Sequence, residues 1–209
     1  MTAKECDHHE EEEHRLYRQL FSLFLGFIVL VLFIIFLVFL ILRPSKPAFV
    51  IRDATIYQFN ASSMPSLLTT DMQVTLSSRN PNERIGIYYQ KLDIYASYRG
   101  QQITLPTLLP DSYQGHKEVI DWSPFLYGSA VPVSPFLTSA LEQDQNTGSV
   151  LVNIKVDGNV KWKVGTWISG KYRLHVNCPA LLVFKEPIGG IAAGPSMKIQ
   201  ITQHCTVDV

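Results

Sequence analysis

Between Arg18 and Arg43 the chain carries no charged residue, and from Leu20 to Leu42 every residue except one serine and one glycine is large and apolar. A helix of this length rises roughly 35 Å, which is enough to cross a hydrocarbon core of about 30 Å with some tilt. A cleaved signal peptide has a shorter apolar region that ends in small residues. We therefore predict a single transmembrane α-helix over residues 20–42 that is retained as a signal-anchor.

The predicted span divides the chain into a tail over residues 1–19, a linker over residues 43–48 and a domain over residues 49–209. The tail is polar and holds more acidic than basic residues, a composition typical of a disordered, solvated arm. Its histidines have no rigid framework to arrange them as metal ligands. Whether Cys6 in the tail is modified stays open.

Within the span, Ser22 and Gly26 form a pair of small residues at a spacing that lets two helices approach closely. A homo-oligomer through this pair is one interpretation, and a simple anchor is the other.

Lysine and arginine counts give no preferred orientation, because three such residues precede the span and three follow it closely. Asn60, Ala61 and Ser62 form an N-glycosylation sequon, which is functional only in the secretory lumen. The domain also holds two cysteines, Cys178 and Cys205. The sequon and the cysteines favour a cytosolic tail and a glycoprotein domain on the non-cytosolic side.

If the last segments are strands, their alternation turns Cys178 and Cys205 towards the core. The glycine- and proline-rich stretch over residues 186–196 then folds the chain back and brings the two strands side by side. We predict a disulfide bond, which fits an oxidising compartment. The loop it closes contributes roughly 3 kcal/mol by the chain-entropy estimate. Two buried free thiols are the alternative.

After the linker, short β-rich segments recur about every ten residues between turn-forming residues, a spacing typical of β-sandwiches. Most alternate apolar and polar residues, as strands half-buried in an antiparallel sheet do. We predict a mainly β domain, an antiparallel sandwich of the immunoglobulin or fibronectin type III kind with one short α-helix. The expected strands cover residues 49–59, 72–78, 85–98 with a break near Gln90, 101–105, 149–156, 160–164, 172–184 and 197–207.

Ser134 and Pro135 predict the start of that helix, because serine caps helices and proline suits the first helical position. The helix is expected to extend to about Gln145, with its apolar side chains, Phe136 among them, on the inner face.

Asn80, Pro81 and Asn82 lie between two predicted strands. Asparagine tolerates left-handed backbone and proline fixes φ, so this trio predicts a rigid turn. Four tyrosines follow within residues 88–98. We expect them to line the core with their hydroxyls at its rim. The alternative is an exposed aromatic surface suited to a sugar or a protein.

Asp157, Gly158 and Asn159 predict a three-residue hairpin turn that pairs Val156 with Val160. In that register three lysines share the solvent face. This basic strip is either a plain solvated face or a site for anionic lipid headgroups or wall polysaccharide. Its members are Lys155, Lys161 and Lys163.

No nucleophile, base and orienting acid occur at spacings that favour catalysis, so we predict no catalytic residue, cofactor or metal ligand. His175 and His204 are expected on the outward face of the last strands. The chain carries 18 basic and 18 acidic residues, and with its acidic tail set aside the domain is only mildly basic. That excess is too small for an extended contact with nucleic-acid phosphates.

An apolar span is thus followed by the runs Asp53–Asn60, Arg79–Asn82 and Tyr98–Gly100 and by a closing cysteine pair. Over about residues 20–209 this arrangement resembles the plant harpin-induced-like membrane proteins, a branch of the group 2 late-embryogenesis-abundant superfamily. The resemblance implies a non-catalytic sandwich domain at the plasma membrane, often near plasmodesmata, with roles in defence and stress responses. The acidic tail differs from the proline-rich tails common among relatives.

We therefore expect a single-pass plasma-membrane protein with a cytosolic N-terminus. Its domain is expected to bind proteins, lipid headgroups or cell-wall glycans in plant defence and stress-response signalling. A lipid-binding or membrane-tethering module is the alternative function. The ligand, the oligomeric state and the stimulus do not follow from the sequence.

Overall fold

In the computed structural model the chain divides into two units, residues 1–43 and residues 44–209. The structure describes residues 3–41, 44–63, 65–184, 197–199 and 203–209. The predicted fold-back over residues 186–196 lies outside this part of the chain.

The first unit contains helix α1, Ala3–Ile41. Its segment Tyr17–Leu37 is long and apolar enough to cross a membrane, in agreement with the predicted span. The helix also includes most of the tail over residues 1–19, so the structure differs from the prediction of a disordered arm. Extending an existing helix is far easier than nucleating one, and the tail's glutamates are good helix formers.

The second unit is mainly β. Its described elements are β1 (Ala48–Ser63), β2 (Ser66–Arg79), β3 (Ile85–Tyr98), β4 (Gln101–Gln102), β5 (Thr107–Leu109), β6 (Ser112–Gln114), β7 (Val119–Trp122), β8 (Phe125–Pro132), α2 (Pro135–Asn146), β9 (Ser149–Val164), β10 (Trp167–Ile168), β11 (Tyr172–Phe184), β12 (Met197–Ile199), β13 (Gln203–His204) and β14 (Thr206–Asp208).

The described strands pair antiparallel and form two layers around one core. One layer centres on β3, β9 and β11, and the other on β1 and β2 with β7 and β8. Strand β12 pairs with both β11 and β1 and so connects the layers. Phe49 of β1 packs against Tyr89 of β3 across the core, with ring centroids 6.1 Å apart. This confirms the predicted antiparallel sandwich. Of the single strand expected over residues 197–207, the described residues form β12, β13 and β14. Cys205 interrupts the strand between β13 and β14, and residues 200–202 lie outside the described part of the chain.

Strand β9 shows that the predicted hairpin is wrong, because the strand is continuous and pairs with β3 on one side and β11 on the other. The glycine within it has a different role. Gly158 faces the bulge of β3, and a Cβ there would lie 2.7 Å from the carbonyl oxygen of Lys91. Glycine is therefore required by close approach of a neighbouring backbone, not by a turn. The bulge itself agrees with the break predicted near Gln90.

Helix α2 confirms the predicted cap, since the Ser134 hydroxyl oxygen accepts a hydrogen bond from the backbone N–H of Leu137 at 3.3 Å. Leu137 and Thr138 face the core. The expectation for Phe136 is wrong, because this ring is 72% exposed. Thr138 completes the buried stripe on the far side from Phe136, which places the aromatic ring in solvent.

Candidate binding surface

The turn predicted at residues 80–82 is held by several hydrogen bonds of its asparagine side chains. Asn80 is fully buried, and its side-chain amide donates to the carbonyl of Ile85 at 2.7 Å and to that of Gly115 at 2.9 Å. Its Oδ1 accepts from the backbone N–H of Asn82 at 3.0 Å and from the Asn82 side chain at 2.9 Å. Because its polar atoms are engaged within the protein, this turn serves the architecture.

Asn82 also fixes the start of the domain. Its Oδ1 accepts from the backbone N–H of Ser45 at 2.8 Å, and its Nδ2 donates to the carbonyl of Ser45 at 2.8 Å. The side-chain amide thus satisfies both backbone groups of one residue, as a paired strand would. The turn therefore holds the linker at the point where the chain enters the sandwich.

Cys178 and Cys205 form the predicted disulfide, with Cα atoms 4.2 Å apart. Cys178 is fully buried in β11. The backbone N–H of Cys205 donates to the carbonyl of Phe49 in β1 at 3.0 Å. The covalent bond therefore joins β11 to the last segment of the chain, at a residue that is also hydrogen-bonded to β1.

The three predicted lysines lie on the outer face of β9. Along this strand the even-numbered residues are the more deeply buried ones, and the odd-numbered residues point outward. Lys155 lies six residues from Lys161, about 20 Å along an extended strand. The structure therefore brings only Lys161 and Lys163 together. Their shared face was predicted correctly from a wrong hairpin, because both arrangements keep odd-numbered residues on one side.

The tyrosines predicted to line the core divide into two pairs. Tyr89 and Tyr98 are buried, whereas Tyr88 and Tyr95 are half-buried on the outer face. The prediction is right for the first pair and wrong for the second. The bulge in β3 shifts its alternation by one residue, which is why both an odd-numbered and an even-numbered tyrosine reach the core.

Two tyrosines lie beside the paired lysines. Tyr88 is opposite Lys161 across β3 and β9, and Tyr113 of β6 is opposite Tyr88 with ring centroids 4.6 Å apart. The Lys163 Nζ lies 5.0 Å from the Tyr113 ring centroid and 5.9 Å from that of Tyr88, within cation–π range. We call Tyr88, Tyr113, Lys161 and Lys163 the lysine–tyrosine cluster.

Gly86 leaves the space on the sheet in which the Tyr113 ring of this cluster lies. A Cβ at Gly86 would lie 2.7 Å from Cε2 of Tyr113, so only glycine lets that ring lie against the backbone. Neither Lys161 nor Lys163 has an acidic partner among the described ion pairs. Two positive charges without an acidic partner among the described residues, one of them over ring faces, suit an anionic group carried on an apolar or ring-shaped body.

A second group on the same outer face joins Tyr95, Asp157 and His175. The Tyr95 hydroxyl donates to Asp157 Oδ2 at 2.8 Å, and His175 Nδ1 lies 2.7 Å from Asp157 Oδ1. Burial, and then the Asp157 carboxylate, raise the pKa of Tyr95. The three border a cavity of about 390 Å³ that Lys155 and Asp208 also line.

This polar group was missed because its members come from β3, β9 and β11 and only the strand register brings them together. His175 is exposed, as predicted for it and for His204. Within the part of the chain that the structure describes, no serine, threonine or cysteine hydrogen-bonds to His175, and no group of potential metal ligands occurs. The arrangement can donate and accept hydrogen bonds to a polar ligand.

The glycosylation sequon and the small-residue pair in the helix are also described. Asn60 is exposed on β1, opposite Thr69 of β2. Ser22 Oγ donates to the carbonyl of Gln19 at 2.9 Å, and the homo-oligomer through Ser22 and Gly26 stays a prediction.

Comparison with known protein families assigns the chain to a recognised class. Residues 75–179 match the family model of late embryogenesis abundant proteins, LEA_2. This defines the sandwich as a LEA_2 domain, here preceded by an apolar helix long enough to span a membrane.

Sequence relatives refine the class. NDR1/HIN1-like protein 1 of Arabidopsis thaliana is 51% identical over 208 residues, which cover 99% of this chain and 100% of that protein. NDR1/HIN1-like protein 12 of Arabidopsis thaliana is 51% identical over 169 residues, 80% of each chain. The chain therefore belongs to the NDR1/HIN1-like family, as the resemblance implied. A solved structure, described as a protein from Archaeoglobus fulgidus, covers 65% of this chain and 98% of its own at 6% identity, with a TM-score of 0.33. Family and apolar helix together describe a stress- and defence-related plant membrane protein.

Proposed function

We propose that this chain is a single-pass plasma-membrane protein with a cytosolic N-terminus, present also at plasmodesmata. Its sandwich domain acts on the non-cytosolic side, in defence and stress-response signalling, by non-catalytic binding. Membership of the NDR1/HIN1-like family supports the biological role, and the apolar segment Tyr17–Leu37 supports the anchor.

The disulfide is the observation that carries the proposed orientation. It joins β11 to the last segment of the chain, and such bonds persist in oxidising compartments, whereas cytosolic thiols are kept reduced. The exposed side chain of Asn60 supports the same side, because sequons are used only in the secretory lumen.

Protease digestion of intact plant protoplasts tests the orientation, with the full chain carrying a different reporter at each end. We expect digestion to remove the C-terminal reporter and to spare the N-terminal one. In addition, the wild type should bear a glycan that is absent from Asn60→Gln. Protection of the C-terminal reporter together with loss of the N-terminal one would reject the proposed orientation.

The proposed contact surface is the lysine–tyrosine cluster. Its two lysines have no acidic partner among the described residues, and Lys163 is positioned over two ring faces. An acidic wall glycan offers complementary carboxylates together with sugar rings. Anionic headgroups of a facing membrane offer complementary phosphates, and this case corresponds to the alternative function, a lipid-binding or membrane-tethering module.

Binding of the full chain, with its helix held in phosphatidylcholine nanodiscs, to polygalacturonate and to phosphatidylserine vesicles separates these cases. We expect binding to be lost in the double variant Lys161→Glu with Lys163→Glu. Lys155→Glu is the matched control, since this lysine lies on the same strand and face but outside the cluster, and it should retain binding. If the wild type binds polygalacturonate but not the vesicles, the cluster contacts the wall. If it binds the vesicles, the lipid-binding or membrane-tethering alternative is favoured. Equal binding by the double variant and the wild type would exclude the cluster as the contact.

A further inference from the structure

Three aromatic side chains form a row on the outer face of the other layer. Tyr57, Phe125 and Tyr127 are 48%, 41% and 52% exposed. Ring centroids are 6.2 Å apart between Tyr57 and Phe125, and 6.0 Å apart between Phe125 and Tyr127. Rings of this size are usually buried, and a contiguous exposed group marks a contact surface. We call these three residues the aromatic row.

A β-bulge places Tyr57 in this row. The register between β1 and β2 shifts between Ile56 and Gln58. As a result Tyr57 and Gln58 are both exposed, although neighbouring residues of a regular strand point to opposite faces. Bulges commonly re-aim a side chain in this way next to functional surfaces.

The glycosylation acceptor lies on the same face as the row. Asn60 follows Tyr57 by three residues on β1, about 10 Å along the strand. Gln58 is opposite Asp71 on β2, and Asp71 is opposite Tyr127 on β8. Asn60 is therefore two residues and two strands from Tyr127, roughly 12 Å away. Both distances are within reach of the first two sugars of a glycan attached to Asn60.

A sugar is a suitable occupant of this face, because the C–H groups on its ring faces can pack against the aromatic rings of the row.

We propose that an N-linked glycan at Asn60 folds back onto the aromatic row. Its first two N-acetylglucosamine units pack against the exposed rings of Tyr57 and Tyr127. The inference rests on the proposed function, because only a domain in the secretory lumen receives the glycan.

Thermal unfolding of the full chain, purified from plant cells in detergent, tests this contact. All three tryptophans lie in the second unit, so their fluorescence follows the domain alone. Loss of the sequon through Asn60→Gln, or through Ser62→Ala with the asparagine kept, should lower Tm by about 2–4 °C. In the double variant Tyr57→Ala with Tyr127→Ala, the same losses should leave Tm unchanged. This double-mutant cycle compares sequon loss with and without the row, and so separates the contact between glycan and row from the effect of each substitution alone.

Phe136→Ala is the control, since this ring is exposed but lies on α2, outside the row. With this substitution, loss of the sequon should lower Tm by the same amount as in the wild type. An equal fall in Tm on sequon loss, with and without the row, would overturn the inference. A chain whose C-terminal reporter is digested but whose Asn60 bears no sugar would also overturn it, while leaving the proposed orientation intact.

Discussion

Replacing Gly158 by alanine perturbs a close backbone approach between β9 and β3. The new Cβ would lie 2.5 Å from Cδ2 of Leu92, 2.7 Å from the carbonyl oxygen of Lys91 and 3.0 Å from Cα of Leu92. The leucine methyl group can move aside, but the other two atoms belong to the backbone of the β3 bulge. A methyl group is therefore accommodated only by displacing two paired strands.

Overpacking a core typically costs 1–3 kcal/mol, and we expect about 2 kcal/mol here because backbone must move. In a domain of 150–250 residues, 1 kcal/mol corresponds to about 2–4 °C, so Tm should fall by about 4–8 °C. Gly170→Ala is the matched control, since a Cβ there has no neighbour within 4 Å and its φ is not positive. Such a substitution leaves stability unchanged or raises it by up to about 1 kcal/mol.

Tryptophan fluorescence of the full chain in detergent provides the assay, with heat and urea as independent denaturants. Trp122 and Trp162 are buried and report loss of the core. If Gly158→Ala unfolded at the same temperature and urea concentration as Gly170→Ala, the strands would not approach as described. The conclusion that β9 is one continuous strand, and not two strands joined by a turn at Gly158, would then lose its main support.

Two further predictions concern hydrogen bonds of named side chains. Asn82→Ala removes both bonds to Ser45 and one to Asn80, so stability should fall by about 2 kcal/mol and amide exchange at Ser45 should accelerate. Unchanged amide exchange at Ser45 would contradict the role of Asn82 in holding the linker. Burial, and then the Asp144 carboxylate bonded at 2.6 Å, raise the pKa of Tyr98 to about 12. The folded state thus keeps a proton that the unfolded chain loses near pH 10, so the stability it contributes is complete below pH 10 and lost as pH rises to about 12. Tyr98→Phe should make the fall in Tm across that window shallower, and an equally steep fall would refute the assignment.

Features governed by neighbouring residues were predictable from the sequence. The cap at Ser134 depends on the first turn of its own helix. The outward face of Lys161 and the inward face of Cys178 depend on alternation along one strand. Such short-range rules needed no knowledge of how the strands are ordered.

Features governed by register were not predictable from the sequence. The sequence around Gly158 matches a hairpin turn, and its true constraint is a bulge in another strand, at Lys91. The contact between Asp157 and His175 depends on the pairing of β9 with β11. The exposure of Tyr57 depends on a bulge that alternation alone does not reveal.

The two proposed contacts lie on the outer faces of different layers and share no residue. The lysine–tyrosine cluster belongs to the layer of β3 and β9, and the aromatic row to the layer of β1, β2 and β8. Between them is a core closed by the disulfide and by α2. Substitutions at Lys161 and Lys163 should therefore change binding without changing the response to sequon loss, and substitutions in the row should do the reverse. A variant on one face that altered both readouts would show that the layers communicate through the core, and neither face could then be treated as an independent site.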